Sequence, residues 1–366
     1  MPNQSILDSR EEIAQLDQSN MLGSIEALGK QIEHAWKEVQ TVEFKPQAEI
    51  RNVVVAGMGG SGLGGDVIKH LFKDEITVPF EIVHSYTLPA YVNENTLVLL
   101  SSYSGTTEEV LACAEAAHQK NAQIMIIAAG GELAKHAQEH QHPAYISDPI
   151  HNPPQQPRMA IGYAVFGTIG LLAKAGIITI NDQMVNEVVA TIDTVIADNN
   201  VEVVGESNPA KALAFNMVGR RGVIVAAEFL EGAAHVAANQ HNENAKAFVD
   251  YKIIPELNHH LMEGLQFPRS NPTDHFFLMI QSQLYNPKNG LRMRLTQQVI
   301  ENNEIDTLSI LLRASTKISQ VFEMITLFAF AGFYLSMLEG IDPSPIPFVD
   351  YFKDELKKQS QDYQLT

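Results

Sequence analysis

Two short segments carry residue types from which an anion site can be built. The first is Gly57-Met58-Gly59-Gly60-Ser61-Gly62, directly after the apolar run Val53–Ala56. The second is Ser102-Tyr103-Ser104-Gly105-Thr106-Thr107, directly after Leu97–Ser101. In each, an apolar run stops at small, hydroxyl-bearing and glycine residues, and a helix-like stretch follows. That order predicts a strand feeding a tight turn at a helix N-terminus. Backbone N–H groups and the positive helix end then face one spot, which favours a phosphate. The second segment sets four serine and threonine hydroxyls around one glycine, whereas helix capping needs one. Gly59, Gly60, Ser61, Ser102, Ser104 and Thr107 are therefore the candidate phosphate or sugar contacts.

Other ligands fit less well. Gly57-x-Gly59-x-x-Gly62 has the spacing of a dinucleotide fingerprint, but the next strand ends in His84-Ser85-Tyr86 rather than in an acid that would hold a ribose. Neither loop ends in Gly-Lys-Ser/Thr, so a nucleoside triphosphate is not expected. The chain has a formal net charge of −18. Its global field therefore repels nucleic acid, while amides and hydroxyls can still grip an anion locally.

Composition bounds the rest. The 366 residues suggest two domains, with 45% hydrophobic and 19% charged residues, a globular balance. The single cysteine, Cys113, excludes an internal disulfide and reads as a small buried residue. Thirteen histidines are present without HExxH or CxxC, so no metal site is expected. The N-terminus lacks a basic region followed by an apolar core, and the apolar stretch 321–338 contains Glu323 and ends near Gly340. No secretory leader, a buried helix rather than a membrane span, and a cytoplasmic protein are the expectations.

The elements that must position the loops follow from periodicity. Residues 7–40 read as helix, with apolar residues at spacings of three and four. Strands are expected at 53–56, 80–84, 97–101, 123–128 and 144–146, and helices at 63–72, 107–120 and after Gly130-Gly131. Thr106 or Thr107 is the expected cap of the second of these helices. A proline-rich loop from 143 to 157 precedes helices at 161–175 and 181–200. A second unit starts near 205, with strands at 222–227, 276–281 and 308–312 and helices at 229–240 and 318–338. Such alternation predicts an α/β fold, parallel sheets flanked by helices, in two distantly similar halves, 1–190 and 191–366.

With both loops placed, the pattern Gly-x-Gly-Gly-Ser-Gly followed by Ser-Tyr-Ser-Gly-x-Thr resembles the sugar isomerase (SIS) domain family. Four further segments are similar to its bifunctional phosphoglucose/phosphomannose isomerase branch: Pro157-Arg158-Met159, Asn242-Glu243-Asn244-Ala245-Lys246, Glu256-Leu257-Asn258-His259, and Asp342-Pro343-Ser344-Pro345 with Lys353. The resemblance covers about residues 25–360. It implies two αβα sandwich subdomains, no cofactor, and a homodimer acting on a sugar phosphate at the subunit interface.

The resemblance also implies roles. Glu243 is the base that moves a proton between C1 and C2 through a cis-enediol. His259 opens the sugar ring, reaching in from the partner subunit. Arg158 stabilises the enediolate, and Lys353 sits near the ring oxygen or phosphate. The chemistry is consistent, since an aldose–ketose isomerase needs a carboxylate and a cation beside the reacting carbons. Each residue has a plainer reading. Glu243 could be a helix-end acid paired with Lys246, His259 a polar loop residue, Arg158 a surface arginine, and Lys353 part of a charged C-terminal helix. The sequence departs from the family at His260, where asparagine is usual, and at Glu132, where a lysine-like turn is usual. Two other functions share these loops: a sugar-phosphate sensor, and an isomerase of another sugar phosphate. The first lacks a helix-turn-helix region here, and the Asn-Glu-Asn-Ala-Lys segment disfavours the second.

Overall fold

The computed structural model describes residues 4–362. Before the first sheet come α1 (Arg10–Leu16), α2 (Met21–Glu26) and α3 (Leu28–Val39). The first half then runs β1 (Asn52–Gly57), α4 (Gly59–Leu71), β2 (Phe80–Val83), β3 (Thr96–Ser102), α5 (Glu108–Gln119), β4 (Gln123–Ala128), α6 (Gly131–Glu139), β5 (Ala144–Ile146) and α7 (Ile161–Lys174). After α8 (Asp182–Asn199) and α9 (Pro209–Met217) come β6 (Arg221–Ala227), α10 (Glu231–Gln240), β7 (Val249–Ile254), the short α11 (Asn271–Asp274) and β8 (His275–Gln281). The chain ends in α12 (Pro287–Asn302), β9 (Thr307–Leu311), α13 (Lys317–Leu338) and α14 (Pro347–Asp362).

Both sheets are wholly parallel, in the orders β2-β1-β3-β4-β5 and β7-β6-β8-β9. The second sheet repeats the order of the first four strands of the first. In each, the chain leaves the first strand for one neighbour and later returns to its other side. A crevice opens at that switch, above the carboxyl ends of the strands, where ligands bind in open α/β sheets. The register Gly57↔Ser101 and Ser102↔Ala128 brings the ends of β1, β3 and β4 level there. Both glycine- and hydroxyl-rich loops thus meet at the first switch. At the second, the Tyr285 hydroxyl accepts from the Ala227 N–H at 3.2 Å, and Glu228 accepts from the Asn286 N–H and the Asn289 amide at 2.8 and 2.7 Å. Protein groups thus bond to one another at that switch.

Strand alternation builds two cores. Val53, Val55, Leu97 and Leu99 face the main core, while Val54, Ala56, Val98 and Leu100 face Val110, Ala114 and Ala117 of α5. Cys113 belongs to the second core and donates to the Ser85 carbonyl at 3.3 Å. Burial pushes its thiol up to about 11, an inert, structural setting as expected. Helix α13 is the one described helix long and apolar enough to cross a membrane, and 94% of its apolar window lies inside the protein. It packs against α8, α9 and α10, and is a core helix.

Two expected elements differ. The single helix over 7–40 is broken. The Asp17 carboxylate accepts from the N–H groups of Met21 and Leu22, and Asn20, at φ 58°, caps Gly23. Asp and Asn bond their own backbone so readily that they stop one helix and start the next. Helix α4 starts at Gly59, not at 63, so most of the glycine run is helix. Glycine is a poor helix former, but close packing requires it here. A Cβ at Gly64 would lie 2.8 Å from the Ala164 carbonyl oxygen, and one at Gly60 2.8 Å from the Arg158 nitrogen.

Candidate active site

The two loops are lashed together. The Ser101 hydroxyl donates to the Ser61 carbonyl at 2.8 Å, and the Tyr103 N–H donates to the Ser61 hydroxyl oxygen at 2.8 Å. The Ser61 O–H proton remains free to donate to a ligand. Ser102 and Thr107 share a hydroxyl–hydroxyl bond of 2.8 Å, and Ser102 also accepts from the Gly105 N–H. Thr107 is the cap residue of α5, but its side chain makes no capping bond, because Ser102 holds it. The amides of that first turn keep their anion-binding capacity. Ser104 is exposed and accepts from the Thr106 N–H and hydroxyl.

The turn depends on one glycine. Gly105 has φ +67°, and a Cβ there would lie 1.8 Å from the Gly130 carbonyl oxygen. Gly105→Ala should destabilise the protein by at least the ~1–2 kcal/mol of a left-handed alanine, with the clash in addition. Urea unfolding tests this, and an unchanged midpoint would refute the reading.

A short turn, Pro157–Met159, links this cradle to the second half. The missing Cβ of Gly60 lets its backbone come close. Arg158 is 1% exposed, not the surface arginine of the plainer reading. Its guanidinium donates to Asn244 Oδ1 at 2.5 Å, Gln156 Oε1 at 2.9 Å, and the carbonyls of Pro343 and Ser344 at 3.1 and 2.7 Å. The Gln240 amide donates to the Arg158 carbonyl at 2.9 Å. None of these anchors is singled out as a site residue by the sequence. The remaining direction of the guanidinium meets Glu243 Oε2 at 3.5 Å.

Glu243 lies in a π-helical turn, His241–Ala245, that continues α10. Helix α10 is pressed onto α4, where a Cβ at Gly232 would lie 2.5 Å from the Val67 Cα. That contact swings the wider turn over the start of α4, and π-turns of this kind recur at functional sites. Burial raises the Glu243 carboxyl above its ordinary value, and the charges of Arg158, Lys246 and Lys353 partly offset it. The bland pairing with Lys246 fails in a specific way. Lys246 Nζ donates to the Glu243 backbone carbonyl at 2.6 Å and to the Pro343 carbonyl at 2.9 Å, not to the carboxylate. Burial, and then the charge of Arg158, bring Lys246 down to about 8. A carboxylate of raised basicity thus faces a fixed cation. That pair can remove a proton next to a carbonyl and stabilise the resulting oxyanion.

The other candidates lie further out. Lys353 is exposed on α14, yet its charge acts on Glu243, as that of Asp350 acts on Arg158, which sets this helix beside the site. His259 ends a turn, Glu256–His259, after β7, where it and His260 are exposed. No hydrogen bond or charge contact among the described residues ties His259 to Glu243 of its own chain. Glu132 pairs with Lys135 at 2.7 Å on the surface. His84, noted as the residue replacing a ribose-binding acid, has a place of its own. Its Nδ1 lies 2.6 Å from the Gly57 carbonyl, and its Nε2 lies 3.4 Å from Asp66. An acceptor stands on each side of the ring, an arrangement that favours its protonated form. The contact with Asp66 is the main cause of its raised pKa. His235 approaches the same carboxylate at 3.1 Å.

Residues 48–154 match the SIS domain model, and residues 206–356 match the bacterial phospho-glucose isomerase C-terminal SIS domain. A bifunctional phosphoglucose/phosphomannose isomerase from Caldicellulosiruptor bescii is 30% identical over 342 residues, which is 92% of this chain and 98% of that one. The chain belongs to the bifunctional phosphoglucose/phosphomannose isomerase family. A further member, from Aquifex aeolicus, is 25% identical over 89% of this chain and 95% of its own. Among solved structures, a hypothetical protein from Thermus thermophilus superposes with a TM-score of 0.73 at 16% identity, covering 97% of this chain and 94% of that one. The tagatose-6-phosphate ketose/aldose isomerase of Escherichia coli gives 0.64 at 16% identity, covering 91% and 93%. These two likenesses show the fold. The two family-model matches run through both sheets, and Glu243 lies within the second.

Proposed function

We propose that the chain interconverts glucose 6-phosphate, and also mannose 6-phosphate, with fructose 6-phosphate by proton transfer through a cis-enediol. The observation that carries this is the buried Arg158 guanidinium, 3.5 Å from a carboxylate of raised pKa and packed directly behind the phosphate-type cradle. The amides and hydroxyls at Gly59, Gly60, Ser61, Ser102, Ser104 and Thr107 take the phosphate. His259 delivers a proton to the ring oxygen as the ring opens. Glu243 removes the C2 proton of the open aldose and returns it to C1. Arg158 faces the oxygen on which negative charge develops, and Lys353 adds positive charge near the ring oxygen. Glucose and mannose 6-phosphates differ only at C2, which becomes planar in the enediol, so one base serves both in a site that tolerates rotation about the C2–C3 bond.

Because His259 is exposed and unconnected to Glu243 of its own chain, it belongs in this scheme to the site of a partner subunit in a cytoplasmic homodimer. The exposed Phe348, Tyr351 and Phe352 of α14, beside the site, support such an interface. The test is a coupled assay of the purified protein on each hexose 6-phosphate. Formation of fructose 6-phosphate from both is expected. Binding without turnover would make the protein a sugar-phosphate sensor, and turnover of glucose 6-phosphate alone would remove the dual activity.

A further inference from the structure

Four histidines meet at the far end of the first domain. His118 lies in the last turn of α5, His136 in the last turn of α6, His140 caps that helix, and His142 leads into β5. All six separations between their ring centres are short: 4.3, 4.5, 5.4, 5.7, 6.3 and 6.4 Å. The four centres therefore stand at the corners of a distorted tetrahedron. Four imidazole nitrogens about 2.0–2.1 Å from one tetrahedral ion would put their ring centres about 5 Å apart.

The polar atoms inside the cluster have nothing to bond. Both ring nitrogens of His136 and Nε2 of His142 are buried without a hydrogen-bond partner. Buried polar groups are normally paired, and such orphans call for an explanation. Burial and the neighbouring rings lower the His136 pKa and bring His142 down to about 4. Imidazole ligates a metal in its neutral form. Glu115 and Glu139 add negative potential beside His136.

We propose that His118, His136, His140 and His142 bind one divalent transition-metal ion of the zinc class. Zinc suits an all-imidazole tetrahedral set, because it has no geometric preference of its own and takes nitrogen donors. Among the described residues, no group of three or more His, Cys, Asp or Glu is already arranged to hold an ion. The rings stand at the corners but pack against one another, two pairs being stacked at 23° and 25°. Binding turns the nitrogens inward, and His118 and His140 are exposed and have room to rotate.

The site is separate from the isomerase site and does not rest on that reading. From Thr107 at the phosphate loop to His118, helix α5 rises about 16 Å at 1.5 Å per residue. An ion there ties the end of α5 to the end of α6 and the entry to β5, a structural rather than a catalytic role. It departs from the expectation of no metal because only the α5–β4–α6 crossover brings His118 to the other three.

The test uses the full-length protein without an affinity tag. Zinc is titrated against a competing chelator, and cobalt(II) is added separately for its visible spectrum. The expected result is one zinc per chain, a rise in thermal midpoint with zinc, and the intense absorption of tetrahedral cobalt. His118→Ala with His140→Ala, both at exposed positions, should weaken zinc binding at least tenfold and abolish the cobalt bands, while the midpoint without metal stays put. His136→Gln serves as a second variant with the same expected loss. No zinc held by the natural chain, equal binding by the variants, or only the weak spectrum of octahedral cobalt would each overturn the proposal.

Discussion

Replacing Glu243 by glutamine should leave sugar-phosphate binding nearly intact and lower turnover by about 10²–10⁴-fold, the usual effect of losing a general base. The amide keeps the size of the side chain and its place in the His241–Ala245 turn, so the cradle 57–62 and 102–107 is untouched. What disappears is a partly buried carboxylate whose pKa lies above its ordinary value. The base works ionised, so activity in the natural protein falls as pH drops through that raised value. The acid limb should therefore lie above the range of an exposed glutamate. Steady-state kinetics, with exchange of the substrate C2 hydrogen into solvent, measure both effects. A glutamine variant within tenfold of normal turnover, or one that still exchanges the C2 hydrogen at the normal rate, would remove Glu243 from the role.

Arg158→Leu should be nearly as damaging, and in two separable ways. Losing a donor preorganised toward developing charge typically costs about 10²–10³ in turnover. The same change leaves Asn244 Oδ1 and the Ser344 carbonyl without their donor, while the Pro343 carbonyl keeps Lys246. Each buried group stripped of its partner costs about 1–3 kcal/mol. The charge of Arg158 now lowers the Glu243 pKa against burial, so its loss should move the acid limb to higher pH. A purely structural arginine would weaken folding without moving that limb. Arg158→Lys should restore some charge but not the four hydrogen bonds, because an ammonium cannot reproduce the planar fork. An unmoved acid limb in the leucine variant would sink this account.

Much of the first half is legible because its chemistry is local. Val53–Ala56 and Leu97–Ser101 are continuous buried runs, and the residues that stop them are turn formers. The second half hides more. Strand β7 escapes a periodicity reading, because Asp250, Tyr251 and Lys252 interrupt its apolar pattern; it is an edge strand with a half-buried middle. Helix α12 goes unnoticed for a similar reason, since only Met293, Thr296 and Ile300 of its residues are buried. At the site, the types of Arg158 and Glu243 are readable, but their meeting is not. It depends on Gly60 and Gly232, whose missing side chains let backbones touch, and a lone glycine in sequence announces a turn more often than a contact. The anchoring of Arg158 by the carbonyls of Pro343 and Ser344 leaves no trace in residue type, because any residue has a carbonyl.

That last contact has a consequence for how the molecule comes into being. The guanidinium is gripped by peptide oxygens almost two hundred positions downstream, and its partner carboxylate sits on yet another stretch. A nascent or clipped chain ending before Pro343 has no Pro343 or Ser344 carbonyl to offer. Its arginine would lack two of its four moorings. The mooring of this side chain is therefore complete only with nearly the whole polypeptide.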